Sequence, residues 1–404
     1  MTTCDVLVIG GGVIGLSIAR EMRKRRRDAR IILIEKEPTC GAHASGRNSG
    51  VLHAGFYYSP DSLKAKFTKL GNEQLTAYCE EKQIPINRCG KLVVAKDAAD
   101  LPSLDELFRR GQANRIELQA LTEAEAKTIE PRVKTYQRAL FSPRTFTVNP
   151  LHVVNAMQQD AQSEGIQIRL GTGYLGRKHG QVVTNSGQIE AGYTINAAGL
   201  YADKIAMDYG FSKTYRILPF KGLYLYSNEP PGSIRTNIYP VPDLRNPFLG
   251  VHFTITADGK AKIGPTAIPA LWRENYDGFS NFKFGEALQV AGRGLGLLAG
   301  AQFDYRRLAL EEVSKYSRRK MVSLASVLAE GVKEGNYVTW GRPGIRAQLL
   351  DITKRKLEMD FVLEGDDRSM HVLNAVSPAF TCSLPFSSYV CDQIDKGTGS
   401  KPSS

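Results

Sequence analysis

Residues 5–35 open on Asp5-Val-Leu-Val-Ile-Gly10-Gly-Gly-Val-Ile-Gly15-Leu-Ser-Ile-Ala-Arg20, and further on the chain resumes an apolar run, Ile31-Ile-Leu-Ile-Glu35. Val6–Ile9 is the short apolar run of a strand buried on both faces of a parallel sheet. Gly10, Gly12 and Gly15 follow it as G-x-G-x-x-G. Leu16, Ile18, Ala19 and Met22 then carry helical spacing. The second run ends on an acid, Glu35, at the spacing of about 20 residues from the glycines that the motif calls for. Strand, glycine turn, helix, strand and acid together form a dinucleotide-binding unit. Gly10 permits the tight turn, Gly12 lets backbone approach a diphosphate, and Gly15 lets the helix close on the strand. The diphosphate would rest on the first amides of the helix. Glu35 would accept hydrogen bonds from the adenosine ribose, and its charge disfavours the 2′-phosphate of NADP. The unit by itself does not separate FAD from NAD.

At 404 residues the chain is long enough for two cores, or for a discontinuous domain plus a second one. Lys and Arg total 53 against 41 Asp and Glu, a net charge of +12 that favours anionic partners. The densest basic cluster, Arg23–Arg27, falls at the end of the first helix, where cations suit the dipole. It reads as a solvated helix end, with a membrane or nucleic-acid patch as the other reading. The six cysteines have no C-x-x-C or metal-ligand spacing, so no metal is expected and the thiols read as reduced. The chain shows no secretory pattern and no apolar run long enough to span a bilayer. The expected location is therefore cytoplasmic, with peripheral contact on the inner face of a membrane left open. The Gly/Ser/Lys/Pro-rich tail 396–404 is expected to be disordered.

After Glu35 and Lys36 comes Ala44-Ser-Gly-Arg-Asn-Ser-Gly-Val-Leu-His-Ala-Gly-Phe-Tyr-Tyr58, a loop rich in backbone and polar groups, long enough to wrap a large ligand. With the preceding unit it resembles the D-amino-acid-oxidase-like FAD oxidoreductases, and among them the L-2-hydroxyglutarate dehydrogenase/oxidase family. Further blocks carry the same resemblance: Thr194-Ile-Asn-Ala-Ala-Gly199, Ile238–Asp243 with Pro247–His252, Gly341–Gln348 and His371–Thr381. It weakens around 100–140 and 280–330. The implied fold class is α/β, a discontinuous Rossmann-like FAD-binding domain (1–88, 145–215 and 335–395) plus an α+β substrate domain (89–144 and 216–334) with a mixed or antiparallel sheet.

Along the chain, a helix is expected over 62–82 and strands at Cys89–Ala95, Ile166–Leu170, Pro219–Tyr226, Phe248–Ile255 and Lys262–Thr266. A hairpin should turn through Asn185–Gly187. Residues 103–130 look helical, with Ser103 and Thr122 as caps, and 281–331 largely helical. There, leucines beside Arg306, Arg307, Arg318, Arg319 and Lys320 fit an amphipathic helix packed on the sheet, or one resting on an anionic membrane.

The resemblance implies FAD as cofactor, contacted by Gly10, Gly12, Gly15, Glu35, Lys36, Ser45, Arg47, Asn48, Ser49, Gly50, Val51, Ala198, Gly199, Gly344, Ile345, Ser377, Pro378 and Ala379. It implies oxidation of L-2-hydroxyglutarate to 2-oxoglutarate, with electrons passing to oxygen or a membrane quinone. Such chemistry needs a base for the hydroxyl proton and cations for two carboxylates. His53 and His252 are the base candidates, and His53 could instead neighbour the flavin or attach it covalently. Arg346 is the first choice of carboxylate anchor because a guanidinium grips bidentately. Lys221 is the second and Arg47, which could equally meet flavin phosphates, the third. Tyr57, Tyr58 and Tyr239 are further substrate contacts. His43, His152, His179 and His371 have structural or exposed contexts. The alternatives are an amine or amino-acid oxidase of the same fold and a flavin-dependent tRNA-modifying protein. The chain has no clustered basic and aromatic module for RNA, so no nucleic acid is expected as partner.

Overall fold

The computed structural model describes residues 2–243, 248–300 and 305–397. Pro247 and residues 398–404 of the tail, named above, lie outside the described residues. The chain divides into two compact units: residues 1–47, 150–219 and 346–404, and residues 48–149 and 220–345. Two of the crossings fall inside strands, Tyr215–Gly222 and Gly344–Asp351. The contacts thus group residues 48–88 with the second unit.

The first unit is built on parallel pairing. Thr2–Ile9 lies between Ile31–Ile34 and Gly187–Asn196, Gln167–Arg169 extends the sheet beyond the former and Ser369–Asn374 beyond the latter. Val6, Leu7 and Val8 are fully buried, as a strand covered on both faces requires. Helix Val13–Arg25 presses Leu16, Ile18, Ala19 and Met22 inward. Its basic end meets the last helix, Ser383–Asp395: Arg25 pairs with Glu21, Asp392 and Asp395, and Arg26 with Asp395. These carboxylate contacts on two arginines identify this part of the cluster as a helix end held by acids of its own unit. The expected hairpin forms between Gln181–Thr184 and Gly187–Asn196.

The second unit carries an eight-stranded sheet in the order Tyr337–Trp340, Leu225–Ser227, Ala261–Gly264, His252–Ile255, Asn237–Pro240, Lys91–Val94, Arg138–Ser142, Gln119–Thr122. All neighbours are antiparallel except Asn237–Pro240 with Lys91–Val94, so the sheet is mixed. Side chains alternate between its two faces. One face is apolar: Leu92, Val94, Ile238, Phe253, Ile255, Ile263 and Leu225 form a single core with Met321, Val322 and Ala325 of helix Arg318–Ser326. The residues between them, Lys91, Val93, Tyr239, His252, Thr254 and Lys262, therefore share the opposite face.

The structure corrects several expectations. The run Pro219–Tyr226 is two strands, Tyr215–Gly222 and Leu225–Ser227, which join different sheets. Residues 103–130 contain a strand, Gln119–Thr122, between helices Leu101–Ala113 and Glu123–Ile129. Ser103 is not a cap, because the helix already starts at Leu101 out of a preceding 3-10 turn. Thr122 is one: its hydroxyl accepts from the Glu125 amide and the Glu125 carboxylate returns to the Thr122 amide. Ser62 caps helix Leu63–Glu81 by accepting from the Ala65 amide.

Candidate functional site

The first unit holds the nucleotide motif. Gly10 adopts φ +111° and a Cβ on it would meet the Ala197 carbonyl oxygen at 2.6 Å. A Cβ on Gly15 would stand 1.9 Å from the Gly10 oxygen, so helix and strand approach as closely as backbone permits. Helix Val13–Arg25 begins at Gly12 without a side-chain cap from that residue and without an acid in its first turn. Its positive end is thus left uncompensated by its own sequence, as an anion site requires. Ser45 accepts from the Val13 amide at 2.9 Å. Glu35 is buried, accepting from the Gly11 amide at 2.7 Å through Oε2 and from the Glu37 amide at 2.9 Å through Oε1.

The second glycine turn closes on the first. Ala197 donates to the Ile9 carbonyl at 2.9 Å, which puts Ala197–Ala198–Gly199 beside Gly10. Gly199 has φ +53° and nothing within 4 Å of where a Cβ would be, so its left-handed turn faces open space. Asn196 braces that turn, accepting from the Ala198 amide and donating to His371 Nδ1 at 3.1 Å. His371 is fully buried, with Nε2 on Ser369 Oγ, and burial pushes its imidazole down to about 4. It is a neutral structural histidine, in keeping with its bland sequence context. A helix start with no cap from its own Gly12 and no acid in its first turn, an acid beyond the second strand and two adjacent glycine turns fit a dinucleotide diphosphate and ribose.

In the second unit, the polar face of the large sheet concentrates ionisable and aromatic groups. His252 is buried and stacks on Tyr239, ring centroids 3.7 Å apart at 24°. Its Nδ1 lies 2.8 Å from the Gly250 carbonyl, which can only accept. That partner assigns the proton of the neutral ring to Nδ1 and leaves Nε2 as the basic nitrogen. Burial raises the Tyr57 and Tyr239 hydroxyls well above the usual phenol range, so both stay protonated.

Lys91 and Lys262 stand on this face in one row across the sheet, since Lys91 is in register with Asn237 and Lys262 with Thr254. Lys262 reaches the Ser49 carbonyl at 3.2 Å and lies over the Tyr224 ring at 4.7 Å; burial pulls its ammonium down to about 8. Lys91 is wholly buried and its Nζ has no hydrogen-bond partner. Three rings surround it instead, Tyr57 at 4.4 Å, Phe56 at 4.5 Å and Tyr239 at 4.9 Å. Each such face offsets about 0.5–2 kcal/mol of the desolvation cost. Burial still brings this lysine down to about 7. The Ser49 and Tyr57 contacts show that the segment 48–58 runs over this face of the sheet.

The remaining expected residues belong to other segments. Arg47 Nε donates to the Ala42 carbonyl at 2.7 Å. Asn48 accepts from the Gly50 amide, and Val51 pairs with Thr147. His53 is half-buried just after strand Val51–Leu52, its carbonyl accepting from Asn72. Tyr58 lies under Lys64 at 5.9 Å, and Lys36 pairs with Glu37. Lys221 is buried on Tyr215–Gly222, its ammonium lowered by that burial. Gly344, Ile345 and Arg346 lie at the start of strand Gly344–Asp351. Ser377, Pro378 and Ala379 occupy the turn between strand Ser369–Asn374 and the last helix. His43 pairs with Glu37, while His152 and His179 are exposed.

Lys91 and Lys262 are the residues that sequence reasoning passes over, because each reads as part of an ordinary strand. The available signal is a lysine in phase with the ligand-facing residues of an otherwise apolar strand.

The family model described as "DAO: FAD dependent oxidoreductase" matches residues 5–381. The mitochondrial L-2-hydroxyglutarate dehydrogenase of Nematostella vectensis is 36% identical over 426 residues, covering 96% of this chain and 90% of that protein. The L-2-hydroxyglutarate dehydrogenase of Escherichia coli K12 is 33% identical over 396 residues, covering 96% and 93%. Among solved structures, dithionite-reduced L-α-glycerophosphate oxidase from Mycoplasma pneumoniae with FAD bound superposes with a TM-score of 0.77 at 22% identity, covering 100% of this chain and 97% of that one. Glycine oxidase from Geobacillus kaustophilus gives 0.73 at 20% identity, covering 98% and 96%. At these identities the two structures bear on the fold alone.

Proposed function

Because the chain belongs to the DAO family of FAD-dependent oxidoreductases, we propose that it oxidises L-2-hydroxyglutarate to 2-oxoglutarate. The supporting observation is that identity to L-2-hydroxyglutarate dehydrogenases extends over 96% of the chain, well past the nucleotide motif and through the sheet that carries His252. Gly10–Ile14, Glu35, Ser45, Ala198 and Gly199 would hold FAD, which when bound supplies the acceptor for two electrons and the Cα hydrogen. The protein's part is to take the hydroxyl proton and to fix the carboxylates. His252 takes that proton at Nε2, its ring held by the Gly250 carbonyl on one side and Tyr239 on its face. Lys262, Lys221 and Arg346 are the cations proposed for the carboxylate beside the reacting carbon, and His53 remains the second candidate base.

The deciding experiment is anaerobic titration of the holoenzyme with L-2-hydroxyglutarate, followed at the flavin band near ~450 nm that the cofactor supplies. Bleaching by the L-isomer, and by neither D-2-hydroxyglutarate nor glycine, is expected. Bleaching by amino acids alone would replace the substrate assignment with the amine-oxidase reading.

We further propose a quinone as electron acceptor, reached by peripheral docking on an anionic bilayer. Among the described residues no helix is long and apolar enough to cross a membrane. Among the described residues of 271–316, Leu271, Phe279, Phe282, Phe284, Leu288, Leu295, Leu310 and Val313 are exposed, together with Lys283, which pairs with Glu286, and Arg307, which pairs with Glu311. Exposed apolar rings and leucines beside cations suit an interface with acidic headgroups. The protein is expected to sediment with vesicles containing phosphatidylglycerol but not with pure phosphatidylcholine, and Phe279→Glu with Phe284→Glu should abolish the binding. Equal recovery in the supernatant with both lipids would overturn the docking surface.

A further inference from the structure

The proton transfer makes no use of Lys91, although it is the most deeply buried ammonium on the polar face. Its strand neighbours in register are Asn237 and Ser142, both uncharged. Among the described residues no carboxylate forms an ion pair with it. The groups facing it are the rings of Phe56, Tyr57 and Tyr239, with His252 stacked behind Tyr239. A buried cation without an anion is poorly stabilised, and a carboxylate brought to it gains more than one brought to a solvated lysine.

We infer that Lys91 receives the distal carboxylate of the substrate, the one remote from the reacting carbon, and so selects dicarboxylates over 2-hydroxy acids with an apolar tail. The inference rests on the function proposed above and assigns a residue to its second carboxylate. One strand, Asn237–Pro240, separates the strands of Lys91 and His252, and the register puts His252 opposite Tyr239, two residues along from the Asn237 partner of Lys91, a backbone spacing of roughly 12 Å. Two inward-reaching side chains and a five-carbon acid can bridge that span, with the hydroxyl at the His252 end.

Access runs through Tyr57. Of the three rings around the ammonium, Phe56 is fully buried and Tyr239 is 1% exposed, whereas Tyr57 is only half-buried. The Tyr57 backbone is pinned, since Arg110 donates to its carbonyl at 2.9 Å and Asn114 holds the carbonyls of Gly55 and Tyr58. Its ring can therefore turn aside without the segment leaving the sheet. The Tyr57 hydroxyl is buried and without a partner, so the same movement gives the arriving carboxylate a second donor. An anion at this point also restores the charge that burial takes from Lys91.

The test compares kcat/KM for L-2-hydroxyglutarate with that for L-2-hydroxypentanoate, the same chain with a methyl group where the distal carboxylate would be. In Lys91→Met the ratio is expected to fall about 100-fold, the loss expected of an interaction with a charged group, chiefly through KM for the dicarboxylate. Lys91→Arg should keep most of it. Tyr57→Phe deletes an unpartnered hydroxyl and should fold; it is expected to lower the ratio about 10-fold. An equal loss on both substrates, or an unchanged ratio in Lys91→Met or in Tyr57→Phe, overturns the assignment. If the wild-type holoenzyme oxidises neither acid, the proposed function has failed, and that result is read before any variant is made.

Discussion

Replacing His252 with glutamine is expected to slow anaerobic flavin reduction by L-2-hydroxyglutarate by about 10²–10⁴-fold, the usual contribution of a positioned general base. FAD binding and the visible spectrum of the oxidised enzyme should be unchanged, because the nucleotide motif lies in other residues. Glutamine matches the length of the imidazole and can donate to the Gly250 carbonyl, but it has no nitrogen able to accept a proton at neutral pH. His252 is 3% exposed and stacks on Tyr239, so the exchange also costs about 1–2 kcal/mol of packing. That cost shows in the melting temperature and not in the rate of reduction at room temperature. The matching variant His53→Gln separates the two candidate bases. If His53→Gln loses the reductive step and His252→Gln keeps it, the base is the histidine of the 48–58 segment. If His53→Gln alters the flavin spectrum with little change in rate, His53 is a neighbour of the ring and not the base.

What the sequence disclosed and what it withheld divide along physical lines. The nucleotide motif is legible because its causes are local: Gly10 needs its positive φ, Gly15 needs its missing Cβ, and Glu35 follows directly on the adjacent strand. Thr122 is legible as a cap for the same reason, its partner Glu125 lying one helical turn on. Lys91 is not. Its burial is created by the parallel pairing of Lys91–Val94 with Asn237–Pro240, a segment remote in sequence, and by Phe56 and Tyr57 laid over it from a third segment. In sequence, Lys91-Leu-Val-Val94 is a strand that begins with a charge, which ordinarily marks a solvated end. The division of Pro219–Tyr226 into two strands is hidden likewise. Gly222 sits where a Cβ would meet Pro265 at 3.2 Å, and only the partner strands show that the two halves serve separate sheets. His252 and Tyr239 are reached through family resemblance, while their stacking follows from the register of Ile238 with Phe253.

Gly15→Ala is expected to yield a protein without stably bound FAD. The added methyl carbon would lie 1.9 Å from the Gly10 carbonyl oxygen and 3.1 Å from its carbon. Both are backbone atoms, so no rotamer change relieves the clash. Gly10 cannot retreat, because the space beside it is closed by the Ala197 carbonyl at 2.6 Å from its own absent Cβ. The helix must therefore lift off the strand, carrying its first amides away from the diphosphate and releasing the packing of Leu16 and Ile18, both fully buried. Overpacking of this severity should cost about 3 kcal/mol or more. Gly12→Ala is the graded comparison: its nearest neighbour is Ser45 Oγ at 3.0 Å, a side-chain atom that can give way. It should retain part of the cofactor and lose affinity mainly through the ligand. Gly285→Ala is the control, since this glycine sits in helix Phe284–Gly300 with nothing within 4 Å of its missing Cβ. Removing backbone freedom there should stabilise by up to about 1 kcal/mol. The ratio of flavin to protein absorbance after purification, with a melting curve of each variant, measures all three. Full flavin content and wild-type melting in Gly15→Ala would show that helix and strand can separate at this turn without harm to the site, and the close approach of Gly15 to Gly10 would lose its functional meaning.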